Sequence, residues 1–112
     1  PFSNYINLLR NSSALVGNSS SGIMEAPFLR IPSVNIGTRQ LGRLRSKSVI
    51  DCNYEKSNIK NAITKAINDK KFLKSIPSNQ NLYGTGNSSK QIVKIMEKLD
   101  LDTIPTQKIF YE

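Results

Sequence analysis

The chain reads as an α/β fold in which a parallel sheet is flanked by helices. Three observations carry that expectation. Short apolar runs end at Gly17, Gly37 and Cys52, too brief for helices and suited to buried strands. Stretches with apolar residues at helical spacing lie before, between and after them. Strand and helix therefore alternate, the pattern of a parallel sheet covered on both faces.

The elements follow in order. Phe2, Tyr5, Ile6 and Leu9 fall at i, i+3, i+4 and i+7, an amphipathic helix opening near Pro1 and ended by Asn11-Ser12-Ser13. Ala14-Leu15-Val16-Gly17 is the first strand. A helix starts near Ser21 or Gly22, and Pro27 lies too deep for a first turn, so a kink or an early end is expected there. Pro32-Ser33-Val34-Asn35-Ile36-Gly37 is the second strand. The loop from Thr38 to Lys47 carries Arg39, Arg43, Arg45 and Lys47 with no acid to answer them. Ser48-Val49-Ile50-Asp51-Cys52 is the third strand. Ile59, Ala62, Ile63, Ala66 and Ile67 form a second helical stripe with Ser57 as its N-cap, and Lys70 to Lys74 a short helical extension. Pro77 to Asn87 reads as loop, turning at Tyr83-Gly84-Thr85-Gly86. Ser88 or Ser89 caps a last helix with the stripe Ile92, Val93, Met96 and Leu99, and the tail from Asp100 onward reads as irregular or extended.

With 112 residues there is room for one modest domain. The opening at Pro1, without methionine, leads to the expectation of a fragment whose fold and site are incomplete. No apolar run approaches the ~20 residues of a membrane span, and no signal-peptide pattern opens the chain. Sixteen basic and eight acidic residues give a formal net charge of +8. That charge fits either a soluble basic surface or an anionic ligand. The few aromatics are not interleaved with the basic residues, which argues against single-stranded nucleic acid. With no histidine and one cysteine, His-based triads and zinc clusters are excluded. Cys52 has no internal disulfide partner and reads as a small core residue; a reducing, cytoplasmic setting fits.

The chemistry concentrates in Asn18-Ser19-Ser20-Ser21-Gly22-Ile23-Met24-Glu25. Ligands of an open parallel sheet bind beyond the carboxyl ends of its strands. The first strand delivers this turn there, and a helix start adds unpaired N–H groups and partial positive charge. Ser19 and Ser20 add hydroxyl donors, and Gly22 lets backbone approach a ligand closely. The result is a diphosphate cradle without a Walker lysine, since neither G-x-x-x-x-G-K-[ST] nor G-x-G-x-x-G occurs. Glu25 has two readings. It accepts from the vicinal hydroxyls of a ribose, or, with Gly22 as N-cap, it is the N3 acid serving its own helix. Arg39 is either a planar fork for phosphate or a solvated loop arginine.

Taken together, Gly17 to Glu25, then Ile31-Pro32-Ser33-Val34-Asn35-Ile36-Gly37-Thr38-Arg39-Gln40 with Gly42-Arg43, resemble the C-terminal half of UDP-N-acetylglucosamine 2-epimerases, the hydrolysing branch in particular. The opening helix and Asn81-Leu82-Tyr83-Gly84-Thr85-Gly86 share in the resemblance, which reaches to about Leu101. It implies a Rossmann-like domain, the C-terminal half of a GT-B-like two-domain fold, over residues 1–101, incomplete at its N-terminal side, with 102–112 as a tail. Ser19 and Ser20 match positions on the UDP phosphates, Glu25 the acid on the ribose, and Arg39 an arginine near UDP, with Gly22 between them. The implied reaction eliminates UDP across C1 and C2 of an amino sugar and then adds water, in the synthesis of sialic acid and related nonulosonates.

The resemblance implies no metal and no other cofactor, no nucleic acid and no membrane partner. It implies the N-terminal domain of the same protein as partner, and a homodimer at full length. The proton-transferring acids and histidine of the family lie mainly in that N-terminal domain, so no catalytic residue is expected in this chain. Two departures stand out. The basic segment Gly37 to Arg43 replaces an acidic segment usual in the non-hydrolysing branch, and Thr85 stands where many relatives carry Asp. A donor-binding domain of a GT-B glycosyltransferase, a non-hydrolysing epimerase and a basic nucleic-acid module are the rival readings.

Overall fold

The computed structural model describes residues 1–77, 82–84 and 86–103. Helix α1 (Phe2–Arg10) leads to strand β1 (Leu15–Gly17), helix α2 (Ser21–Phe28), strand β2 (Ser33–Ile36), strand β3 (Val49–Cys52) and helix α3 (Lys56–Asn68). Short helix α4 (Lys70–Ser75) and helix α5 (Ser88–Met96) follow, with a 3₁₀ turn at Leu101–Thr103. The fold is α/β, with three parallel strands in the order β1-β2-β3 and helices packed on them. Register pairs Leu15 with Ser33, Val16 with Val34 and Gly17 with Asn35. Across the sheet, Val34 faces Ile50, Asn35 faces Asp51 and Ile36 faces Cys52.

Central strand β2 is covered on both sides, and its alternation sorts its residues. Val34 packs with Ala62 and Ala66 of α3, and Ala14, Ile36, Ile50, Cys52 and Ile63 close around them. Burying a valine of this kind contributes about 1.5–3 kcal/mol. Ser33 faces the other way, donating its hydroxyl to the Gly22 carbonyl of α2 at 2.6 Å. Ile23, Ala26 and Pro27 are the buried face of α2. The small residues Ala62 and Ala66 let α3 lie close to the strands, whereas Ile67, expected in the same stripe, is exposed.

Helix α2 ends one residue after Pro27, the early stop that proline predicts. The stop is a Schellman motif: Ile31 N–H donates to Ala26 O at 2.9 Å and Arg30 N–H to Pro27 O at 3.1 Å. Its left-handed position is filled by Arg30, at φ +61°, where glycine is the usual occupant.

Two expected caps and one expected extension are corrected. The N-cap of α3 is Glu55, not Ser57, and Asn53 Oδ1 holds that entry by accepting from Glu55 N at 3.1 Å and Asn58 Nδ2 at 2.8 Å. Residues 70–74 begin a new helix rather than extending α3. Asp69 breaks the run and caps α4, accepting from the N–H groups of Lys71 and Phe72 at 2.9 Å each. The N-cap of α5 is Asn87, not Ser88 or Ser89. The stripe Ile92, Val93, Met96 and Leu99 is exposed, with no buried residue in α5. Thr85, residues 78–81 and the tail from 104 lie outside the described residues.

Two backbone positions make opposite predictions. Arg30→Gly relieves a left-handed side chain and should raise stability by about 0.5–1 kcal/mol. Gly37 sits at φ +78° after β2, and a methyl there also meets the Tyr54 ring. Because Tyr54 is exposed and can swing away, backbone strain dominates, and Gly37→Ala should cost about 1–2 kcal/mol. Urea unfolding of the two variants reads both signs.

Candidate functional site

The serine turn leaves β1 at the carboxyl edge of the sheet. Ser20 is the N-cap of α2 in helical geometry, and its hydroxyl makes no capping bond. Ser19 is exposed; its Oγ accepts from Ser21 N at 3.3 Å and its carbonyl from Gly22 N at 3.2 Å. The N–H groups of Ser19 and Ser20 donate to no other backbone group among the described residues. The Ser21 hydroxyl is shared with the Tyr5 hydroxyl, which ties the turn to α1. Gly22 is buried, and a Cβ there would come to 3.4 Å from Ser33 Cβ and 3.7 Å from Leu15 Cδ2. The Cα of Gly22 therefore faces the strands, at distances where an added methyl would make ordinary contact, so packing alone does not demand glycine here.

Glu25 is where the two readings part. Counting from Ser20, it is the fifth helical residue, and the first turn of α2 contains no acid. The helix makes no use of this carboxylate, so the capping alternative does not apply. Its Oε2 is buried without a hydrogen-bond partner. The side chain lines an open cleft of about 490 Å³ with Phe2, Ile6 and Arg10 of α1, and with Tyr83, Gly84 and Gly86. An ionised oxygen held out of water is costly unless a donor meets it.

The other expected residues sit nearby but not in that cleft. Ser19 and Gly22 line a small cavity of about 20 Å³ at the head of β1, together with Ser33 and Asn35. Arg39 is exposed on the loop after β2 and lines neither space.

That loop, residues 38–47, is anchored by groups that sequence reasoning missed. Gln40 is 3% exposed, and its Nε2 donates to the Asn18 carbonyl at 2.8 Å. Arg45, expected to lack an acid, pairs with Asp51 at 2.9 Å and donates to the carbonyls of Gln40 and Arg43 at 2.7 and 2.8 Å. Asp51 accepts in turn from buried Asn35 at 2.6 Å. The acid that answers Arg45 lies on β3, outside the loop, which is why charge counting along the loop missed it. Arg43 approaches the Met24 sulfur at 3.9 Å.

The expected amphipathic helix forms as α1, and its apolar face walls the cleft: Phe2 and Ile6 line it, only Leu9 of the helix is buried, and Phe2 is 68% exposed. Among the described residues, no three His, Cys, Asp or Glu side chains gather as a metal set would, and no helix is long and apolar enough to cross a membrane. Burial, and then the neighbouring Asp51 carboxylate, push the Cys52 thiol above its ordinary range. It stays protonated at neutral pH and is a poor nucleophile.

The site is thus a serine turn at a helix start, an acid with an unpartnered oxygen further along that helix, and a largely apolar cleft beside it, all on an α/β domain. Comparison with known proteins gives the family. A family model described as UDP-N-acetylglucosamine 2-epimerase matches residues 1–97, and the chain belongs to that family. It is 39% identical over 111 residues to the Polysialic acid biosynthesis protein P7 of Escherichia coli, covering 96% of this chain and 27% of that protein. It is 34% identical to the UDP-N-acetylglucosamine 2-epimerase of Neisseria meningitidis serogroup B, covering 99% of this chain and 29% of that protein. A stretch of 47 residues, 42% of this chain and 12% of the relative, is 53% identical to the GDP/UDP-N,N'-diacetylbacillosamine 2-epimerase (hydrolyzing) of Campylobacter jejuni. The chain thus spans under a third of the length of these relatives.

The loop anchor is testable by proteolysis. Arg45→Met should leave the sheet folded while removing the fork from Asp51 and two carbonyls. The ion pair is partly exposed, so its loss is set at about 1 kcal/mol of local stability. Trypsin should then cut after Arg39 or Arg43 roughly fivefold faster than in wild type.

Proposed function

We propose that residues 1–101 are the UDP-binding, C-terminal Rossmann-like domain of a hydrolysing UDP-sugar 2-epimerase with a GT-B-like two-domain fold, and that 102–112 are its tail. One observation carries the reading: Glu25 has a buried, unpartnered carboxylate oxygen in an open cleft, on the helix that the serine turn begins. Glu25 lies five residues on from Ser20, about 7.5 Å along the helix axis. That span suits a nucleoside diphosphate, with its ribose diol on Glu25 and its phosphates at the turn. Phe2 and Ile6 then wall the space beside the ribose. The word "hydrolyzing" in the name of the Campylobacter jejuni relative, and the polysialic acid pathway in that of the Escherichia coli one, support the branch.

In this reaction UDP leaves by elimination across C1 and C2 of the amino sugar, and water adds to the resulting unsaturated sugar. Negative charge grows on the departing diphosphate. The hydroxyls of Ser19 and Ser20, the free N–H groups of the turn and the positive end of α2 face that charge, and Arg39 on the neighbouring loop adds a full one. Gly22 offers its carbonyl to Ser33, which holds the helix start on the sheet. These residues bind and stabilise the leaving group; the groups that move protons belong to an N-terminal domain that faces this one. The whole protein is a cytoplasmic homodimer in this reading, with a UDP-amino sugar as substrate and no metal, cofactor, nucleic acid or membrane partner.

Two measurements test it. Titration of UDP against the protein as encoded and its Glu25→Ala variant should show affinity falling at least tenfold, as expected for lost hydrogen bonds to a charged group. Unchanged affinity would remove Glu25 from the ribose. The isolated 112-residue chain should release no UDP from UDP-N-acetylglucosamine; sustained turnover would sink the assignment of catalysis to another domain.

A further inference from the structure

Gln40, like Asn35, is a buried amide, but it sits on a loop and reaches across to another one. It is 3% exposed, yet only one end of its amide is used. Nε2 donates to the Asn18 carbonyl at 2.8 Å, while Oε1 is buried with no partner. A buried acceptor left unpaired is a stability cost, and an apolar side chain of equal size would fill the space without it. The amide is therefore not explained by packing. What it does is join two loops that no backbone ladder joins: Asn18 opens the serine turn, and Gln40 directly follows Arg39. The carbonyl of Gln40 is itself held by Arg45 at 2.7 Å, and Arg45 by Asp51 of β3. The sheet thus reaches the serine turn by two routes, through β1 directly and through Asp51, Arg45 and Gln40.

We propose that Gln40 is a positioning residue for the diphosphate end of the site, fixing the serine turn and Arg39 at one separation so that both meet the same phosphates. The inference rests on the nucleotide reading above and adds a division of labour to it. Glu25 answers to the nucleoside, and Gln40, acting through Asn18 and Arg39, answers to the phosphates. Gln40 touches no ligand in this scheme.

The test compares UDP with uridine, titrated against wild type, Gln40→Met and Glu25→Gln in the protein as encoded, with a thermal melt of each. Gln40→Met should weaken UDP about tenfold, change uridine less than about twofold, and melt no lower than wild type, since it removes an unpaired buried acceptor. Glu25→Gln should weaken both ligands. Equal weakening of UDP and uridine by Gln40→Met, or unchanged UDP binding, overturns the positioning role. If Gln40→Met does not fold, Gln40→Glu keeps size and polarity but cannot donate to Asn18, and the same UDP-selective loss is expected. Failure of both variants to fold also overturns the proposal, because the residue is then structural. The nucleotide reading fails separately: wild type that binds neither ligand, or Glu25→Gln that binds uridine as wild type does, sinks that reading.

Discussion

The site depends on a short chain of polar contacts across the carboxyl edge of the sheet. Asn35 and Asp51 are register partners on β2 and β3, and their side chains bond at 2.6 Å. Asp51 holds Arg45, Arg45 holds the Gln40 carbonyl, and the Gln40 amide holds Asn18. Each link places a loop group by reference to a strand. A basic loop of ten residues would otherwise be free to move, since like charges repel and no ladder restrains it. Two of these groups, Asn35 and Gln40, are buried and pair one end of the amide each, where the low dielectric strengthens the bond that is made.

The second constraint is the close contact of α2 with the strands. Ser33 donates its hydroxyl to the Gly22 carbonyl, and the buried face of α2 (Gly22, Ile23, Ala26 and Pro27) lies against the strands. That contact sets the helix start over the end of β1, where the free N–H groups and hydroxyls of the turn face outward. Pro27 and the left-handed Arg30 then stop the helix after two turns and send the chain back into β2. Glu25 falls between these two fixed points. Its position in the cleft is a consequence of where α2 starts and how soon it must end.

Much of this was legible in sequence because it is local. Short apolar runs and period-3.6 stripes are written in neighbouring residues, and Pro27 acts on its own backbone, so the strands, the helices and the early helix stop could be read directly. The caps were less legible. Ser57, Ser88 and Ser89 have capping side chains, yet Glu55, Asn87 and Asp69 hold the positions, because entry angles are set by the turns that precede them. What the α1 stripe faces was not legible for a different reason. An apolar face has the same spacing whether it meets a core or walls a cleft, and Phe2 belongs to the cleft.

By itself the sequence determined the α/β alternation, the serine turn at a strand end and the acid on the following helix, and its motifs resembled the epimerase family to which the chain belongs. Those are matters of residue type and spacing along one segment. Only the tertiary structure decided what Glu25, Gln40 and Arg45 do. Glu25 could have served its own helix; the helix start at Ser20 leaves its carboxylate unused. Gln40 and Arg45 look like surface residues of a basic loop until the fold brings Asn18 to Gln40 and β3 brings Asp51 to Arg45. Their partners lie 22 and 6 residues away in sequence. Such pairings carry no local period, so they exist only once the sheet has formed.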